Sequence, residues 1–96
     1  MAKFELGQLV ATAGVAEAMR ENPDFNAFVW DSMRRYLECD WGDLEASDKK
    51  QNDNAVKNGD DRILAAYKKQ EGKNWKIWII TEWDRSATTV LFPDEY

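Results

Sequence analysis

The sequence contains no histidine, a single cysteine and only two prolines in 96 residues. Without histidine there is no Cys/His pair, no Ser/His/Asp triad, no imidazole ligand for zinc or haem and no imidazole pH switch. Cys39 alone cannot form an internal disulfide or a multi-cysteine zinc site, and at the end of a helix it reads as a small half-buried hydrophobe. No apolar run approaches the roughly 18 residues that cross a bilayer, and Met1 to Gly7 lacks the apolar stretch of a signal peptide. The chain therefore reads as cytoplasmic, with no membrane contact. Asp48 to Asp61 is rich in Asp and Asn but lacks the spacing of a calcium loop, so neither a metal nor a cofactor is expected.

What is present suits one folded domain spanning residues 1–96: 44% of the residues are hydrophobic and 32% are charged, with few breakers. Phe4 to Ala11 alternates imperfectly and reads as a short edge strand or an extended arm. Thr12 can cap a short helix over Gly14 to Glu21, with Val15 and Met19 one turn apart. Asn22-Pro23 ends that helix and starts the next, because Asn is a favoured cap and Pro is tolerated in the first turn. Phe25, Phe28, Val29, Met33, Tyr36 and Leu37 then form an amphipathic stripe. This helix is expected to end near Asp40, with an outward pair of Asp31 and Arg35. Asp43 can cap a further, largely polar helix that runs to Asn58-Gly59.

Three strands follow in the sequence pattern, Arg62 to Lys68, Trp75 to Glu82 and Thr88 to Phe92, joined by loops of hairpin length, one containing Gly72. The first of them has a helix continued from Val56 as its alternative. The expected fold is α+β, with two to three N-terminal helices packed on a C-terminal three-stranded antiparallel β-meander. The middle strand is apolar on both faces. Helices should cover one side of the sheet, and aromatic residues or a partner part of the other.

The run from Lys76 to Tyr96 (KIWIITEWDRSATTVLFPDEY), together with Asp40, Trp41, Gly42, Asp43 and the stretch Arg62 to Tyr67, resembles a family of small bacterial proteins. They are encoded on plasmids, conjugative elements and prophages and are often labelled "plasmid-related protein". The resemblance covers most of the chain. It implies a genomic setting and no mechanism, and it carries over no catalytic residue.

Charge is unevenly placed. Residues 38–61 hold eight acids (Glu38, Asp40, Asp43, Glu45, Asp48, Asp53, Asp60, Asp61) against three lysines, a local excess equal to the net charge of −5 of the whole chain. Residues 62–76 are basic and residues 82–96 acidic again. One reading is a polar surface that keeps a small domain dissolved. The sharper reading is an acidic face that docks on a basic protein, in its extreme form a DNA mimic directed at a defence protein. Binding of nucleic acid by the basic stretch is not expected on an acidic chain.

The turn Glu82-Trp83-Asp84-Arg85-Ser86 brings two carboxylates and a guanidinium together, and a helix-then-meander chain is similar in outline to small ribonuclease toxins of the RelE-like fold. That analogy would give Glu82, Asp84 and Arg85 catalytic roles. The structural alternative is an ordinary turn in which Arg85 pairs with Glu82. Of five tryptophans, Trp30, off the stripe of its helix, and Trp83, in a turn, are the interface candidates, and an exposed patch of them would favour a homodimer. The function expected from the sequence is a non-enzymatic, acidic interaction protein of a mobile element. Its alternative is a small hydrolase or ribonuclease using the 82–86 turn.

Overall fold

The computed structural model describes residues 3–69 and 73–96; Gly72, the expected turn residue of the first hairpin, lies outside them. The order of elements is β1 (Gln8–Ala11), α1 (Ala13–Glu21), α2 (Pro23–Leu37), α3 (Ala46–Asn58), β2 (Ile63–Lys69), β3 (Trp75–Thr81) and β4 (Ala87–Leu91), followed by a 3-10 turn at Pro93–Glu95. The α+β class stands, and β2, β3 and β4 form the antiparallel meander. The sheet nevertheless has four strands, in the order β1-β4-β3-β2, because β1 joins β4 in parallel.

Local chemistry accounts for most boundaries. Thr12 Oγ1 accepts the Val15 N–H (3.3 Å) at the start of α1. Asn22 serves both helices: its N–H closes α1 on the Ala18 carbonyl (3.0 Å), and its Oδ1 accepts the Asp24 and Phe25 N–H groups (3.0 and 3.3 Å) to open α2. α2 ends at Leu37, short of Asp40. Cys39 takes a left-handed backbone (φ 63°), and the Cys39 and Asp40 N–H groups fold back onto the Tyr36 and Arg35 carbonyls.

Phe25, Val29, Met33 and Tyr36 on α2 share one buried cluster with Ile63, Ala65 and Tyr67 on β2, Ile77 and Ile79 on β3 and Val90 on β4. Each such large side chain contributes roughly 1.5–3 kcal/mol by leaving water. A chain of buried hydroxyls crosses this core. Thr88 Oγ1 donates to the Leu6 carbonyl (2.8 Å), which leaves Thr81 to donate to Thr88 (2.7 Å) and Tyr36 to donate to Thr81 (2.7 Å). Every member is satisfied, so the polar line ties α2, β3, β4 and the approach to β1 together and leaves no buried side-chain hydroxyl unpaired.

Among the described residues the other sheet face is covered by the C-terminal 3-10 turn rather than by an α-helix. Ala66, Ile80 and Leu91 are buried there, and the C-terminal turn brings the Tyr96 ring edge-on to Trp78 at 5.5 Å. Arg62 donates to the Tyr96 hydroxyl (2.6 Å). Among the described residues no helix is long and apolar enough to cross a membrane.

Candidate functional site

The residues expected to form one acidic face have divided roles. Glu38 pairs with Arg34 (3.4 Å), which also takes Asp31 (2.8 Å), so Asp31 does not meet Arg35 as expected. Arg35 instead grips Asp40 through two hydrogen bonds, 2.7 and 3.1 Å. That grip, with a further bond from the Gly42 N–H, holds the Asp40 carboxyl below the usual carboxylate range.

Asp43 does not cap α3, whose cap position is Glu45 with no side-chain hydrogen bond. Asp43 lies along the edge of β2. Its N–H donates to the Ala66 carbonyl (2.8 Å) and its Oδ2 accepts the Lys68 N–H (3.0 Å). Asn52 continues this seal from α3 by pairing its side-chain amide with both the N–H and the carbonyl of Leu64 (3.3 and 2.8 Å). Asp53 accepts the indole N–H of the buried Trp41 (2.9 Å). Five of the eight acids are thus tied to the protein's own donors, although Asp61 accepts only the N–H of the next residue, Arg62 (2.8 Å).

Glu45, Asp48, Asp60 and Asp61 make no ion pair among the described residues. Asp48 and Asp61 line one groove of about 400 Å³ beside α3, with Leu44, Gln51, Arg62 and Leu64. The Asp60-Asp61 loop is drawn to the β3–β4 turn by Arg85, which sits in a left-handed backbone (φ 61°). Arg85 Nη1 donates to the carbonyls of Asp61 (2.6 Å), Glu82 and Trp83 (both 3.2 Å), and Nη2 to that of Ala55 (2.9 Å) near the end of α3. A cation at a helix C-terminus is itself favourable.

Arg85 therefore contacts the Glu82 backbone and not its carboxylate, contrary to the ion pair expected from the sequence. Its guanidinium, the group the ribonuclease alternative requires free, is spread over four carbonyls. Asp84 caps the turn by accepting the Ser86 N–H (3.0 Å); hydrogen bonding to Ser86 holds its carboxyl below the usual range. Cys39 is half-buried, and that burial pushes its thiol up, away from the thiolate that nucleophilic chemistry uses. Among the described residues, no three acids or cysteines are placed to hold a metal ion.

The consequence is that Arg85 brings two acid-bearing segments side by side. Asp60 and Asp61 from one loop and Glu82 and Asp84 from another meet where Trp83 stands 63% exposed. Trp30, 50% exposed, lies elsewhere, beside β1. Arg85 as organiser and Asn52 as an edge seal were missed by the sequence reading. Asn52 had a signal, because it sits one turn before the apolar Ala55 and Val56 and so shares their inward face. Arg85 had none, since its acceptors are backbone oxygens from three separate segments. No protein-family model, curated protein or solved structure matches the chain.

Proposed function

We propose that the chain is a non-enzymatic binding protein that docks its Trp83 end on a basic protein surface. The observation that carries this reading is the Arg85 bridge. One guanidinium holds two acidic loops together through their carbonyls, which leaves the Asp60, Asp61, Glu82 and Asp84 carboxylates outside and a large aromatic side chain exposed with them. Carboxylates of one sign steer a cationic partner and set its register, while a tryptophan supplies the apolar contact in which binding energy concentrates. The groove containing Asp48 and Asp61 extends the same surface.

A host or mobile-element protein is the partner that the resemblance to plasmid-related proteins implies, and an accessory or anti-defence role belongs to this reading. The DNA-mimic version draws less support. Glu38, Asp40, Asp43 and Asp53 serve the protein's own fold, and Lys49, Lys50 and Lys57 interleave with what remains.

Affinity capture from host lysate at low and high salt tests the proposal. A specific partner should be retained at low salt and released as salt rises. Trp83→Ala should lose about 2 kcal/mol or more of binding. The Asp60→Asn/Asp61→Asn double variant should slow capture, and Asp24→Asn, next to Phe25 packed on Trp75 at the other end of β3, should behave as wild type. Capture unchanged by either set of substitutions, or no partner under any condition, removes the reading.

A further inference from the structure

We propose that β1 is a self-association edge, at which two copies of this chain pair antiparallel about a twofold axis and join their four-stranded sheets into one. The start of β1 adjoins the 82–86 turn through the Gln8–Ser86 hydrogen bond, but the proposal does not depend on the reading of the Trp83 end. It rests first on backbone geometry. The Gln8 and Thr12 N–H groups donate inward to the Ser86 and Val90 carbonyls, both at 3.0 Å. Strand alternation then turns the N–H and carbonyl groups of Leu9 and Ala11 outward, and no side chain or loop among the described residues seals them. The opposite edge is treated otherwise: Leu64, Ala66 and Lys68 on β2 are all engaged by Asn52 and Asp43.

The free groups specify a register. With the axis through Val10, Leu9 faces Ala11 of the second copy and Ala11 faces Leu9, and each pair exchanges both of its hydrogen bonds. Such a twofold axis is perpendicular to the sheet, so the helices of both copies fall on one side of the seam. There Leu9, Ala11, Met19, Met33 and Trp30 line an apolar hollow of about 230 Å³. On the other side the two Val10 side chains meet. Leu9, Val10 and Trp30 are 43%, 37% and 50% exposed in the single copy, and this arrangement gives all three a partner.

Charge selects a second copy as the occupant. Each molecule carries −5, and in an isologous contact a residue on the axis faces itself, so an acid there meets an acid. Leu6 to Ala16, the eleven residues that contain β1, include no charged side chain and form the longest such run in a chain that is 32% charged. β1 also lacks the lysine, proline or bulge by which exposed edges discourage pairing.

Sedimentation and light scattering over a concentration series provide the test. The mass should rise from 11.1 kDa toward twice that value. Added salt should strengthen the dimer by screening the like net charges, opposite to its effect on the Trp83 end. Val10→Lys and Val10→Glu, each checked for native circular dichroism, should each raise the half-dimerisation concentration by about tenfold or more. An equimolar mixture of the two should restore association, because opposite charges then face each other across the axis. Amide exchange at Leu9 and Ala11 should slow on dimerisation. A monomer at every concentration overturns the proposal, including the case in which the edge accepts an extended segment of another protein. So does undiminished dimerisation of Val10→Lys, or two folded variants that ignore each other when mixed.

Discussion

The two edges of the sheet are built by opposite strategies. At β2 the outward backbone groups of Leu64, Ala66 and Lys68 are closed by the side chains of Asn52 and Asp43 and by the backbone next to Gly42, whose left-handed φ of 74° brings the chain so close that a Cβ would overlap the Ala66 carbonyl oxygen. At β1 the described residues supply nothing comparable. Yet β1 is not loosely held: its inner side is fixed by the ladder to β4 and, just before it, by Thr88 donating to the Leu6 carbonyl. A strand secured on one side and bare on the other is a template for pairing. The contrast also explains why a helix as polar as α3 is there at all. With only Asn52 and Ala55 buried, it contributes little to the core and serves as the cover of an edge.

Opening the closed edge should have the largest effect. Asn52→Leu keeps the side-chain volume but leaves the Leu64 N–H and carbonyl without partners, at a cost on the order of 2–4 kcal/mol in unfolding free energy by denaturant titration. It should also change assembly. With the second edge partly freed at Leu64, copies can add end to end as well as close in pairs, so light scattering should show growth beyond a dimer at high concentration. Destabilisation without such growth would mean that Asn52 acts in stability only.

Loosening the bare edge from within should come next. Thr88→Val removes the donor to Leu6 and the acceptor for Thr81, leaving a buried hydroxyl and a carbonyl poorly satisfied. The expected cost is about 1–3 kcal/mol, with faster amide exchange at Val10, which faces β4, than at Ile79 in the central strand. Equal acceleration at both sites would show that the hydroxyl chain supports the whole core and not β1 in particular.

Alkaline pH weakens the supports of both edges. Burial is the main cause that raises the Tyr36 and Tyr67 phenols above their ordinary value; Tyr36 heads the hydroxyl chain toward Leu6, and Tyr67 donates to the Asp40 carbonyl beside the β2 seal (2.7 Å). A folded-state pKa above the unfolded one means that the neutral form is the one the fold favours. The stability is therefore fully present below the unfolded value near pH 10 and declines as pH rises beyond it. Thermal melts from neutral to strongly alkaline pH should show that decline, and Tyr36→Phe should make it shallower while costing about 1 kcal/mol at neutral pH.

Much of this architecture is legible in the sequence because it is local. The α2 stripe, the double role of Asn22 and the three C-terminal strands depend on residues a few positions apart, and period and capping chemistry act at that range. The parallel joining of β1 to β4 is not local: Val10 pairs with Thr89, and no pattern within either strand encodes the choice. The candidate site is legible in its parts and not in its assembly. Trp30 and Trp83 stand out as aromatic residues off any apolar stripe, and both are exposed. The acids are equally visible, but charge counting treats all carboxylates alike. Only the fold separates Asp43 and Asp53, which accept N–H groups from other segments, from Asp60 and Asp61, whose loop is held by Arg85 and where Asp61 accepts only the N–H of its neighbour Arg62.

The smallest expected effect tests that separation directly. Asp43 sits just before α3, where an aspartate looks like a helix cap, but its carboxylate accepts the Lys68 N–H at the exposed end of β2. Asp43→Asn retains an acceptor oxygen and removes only the charge assistance, so about 0.5 kcal/mol should be lost. Asp43→Ala leaves Lys68 to water, because the site is exposed, and should lose about 1 kcal/mol. A helix cap behaves differently: asparagine caps as well as aspartate, and alanine would fray the first turn of α3. Amide exchange distinguishes the two roles. Faster exchange at Lys68 with unchanged protection in the first turn of α3 assigns Asp43 to the edge, whereas the reverse pattern would return it to the helix and leave β2 closed by Asn52 and the Gly42 bridge alone.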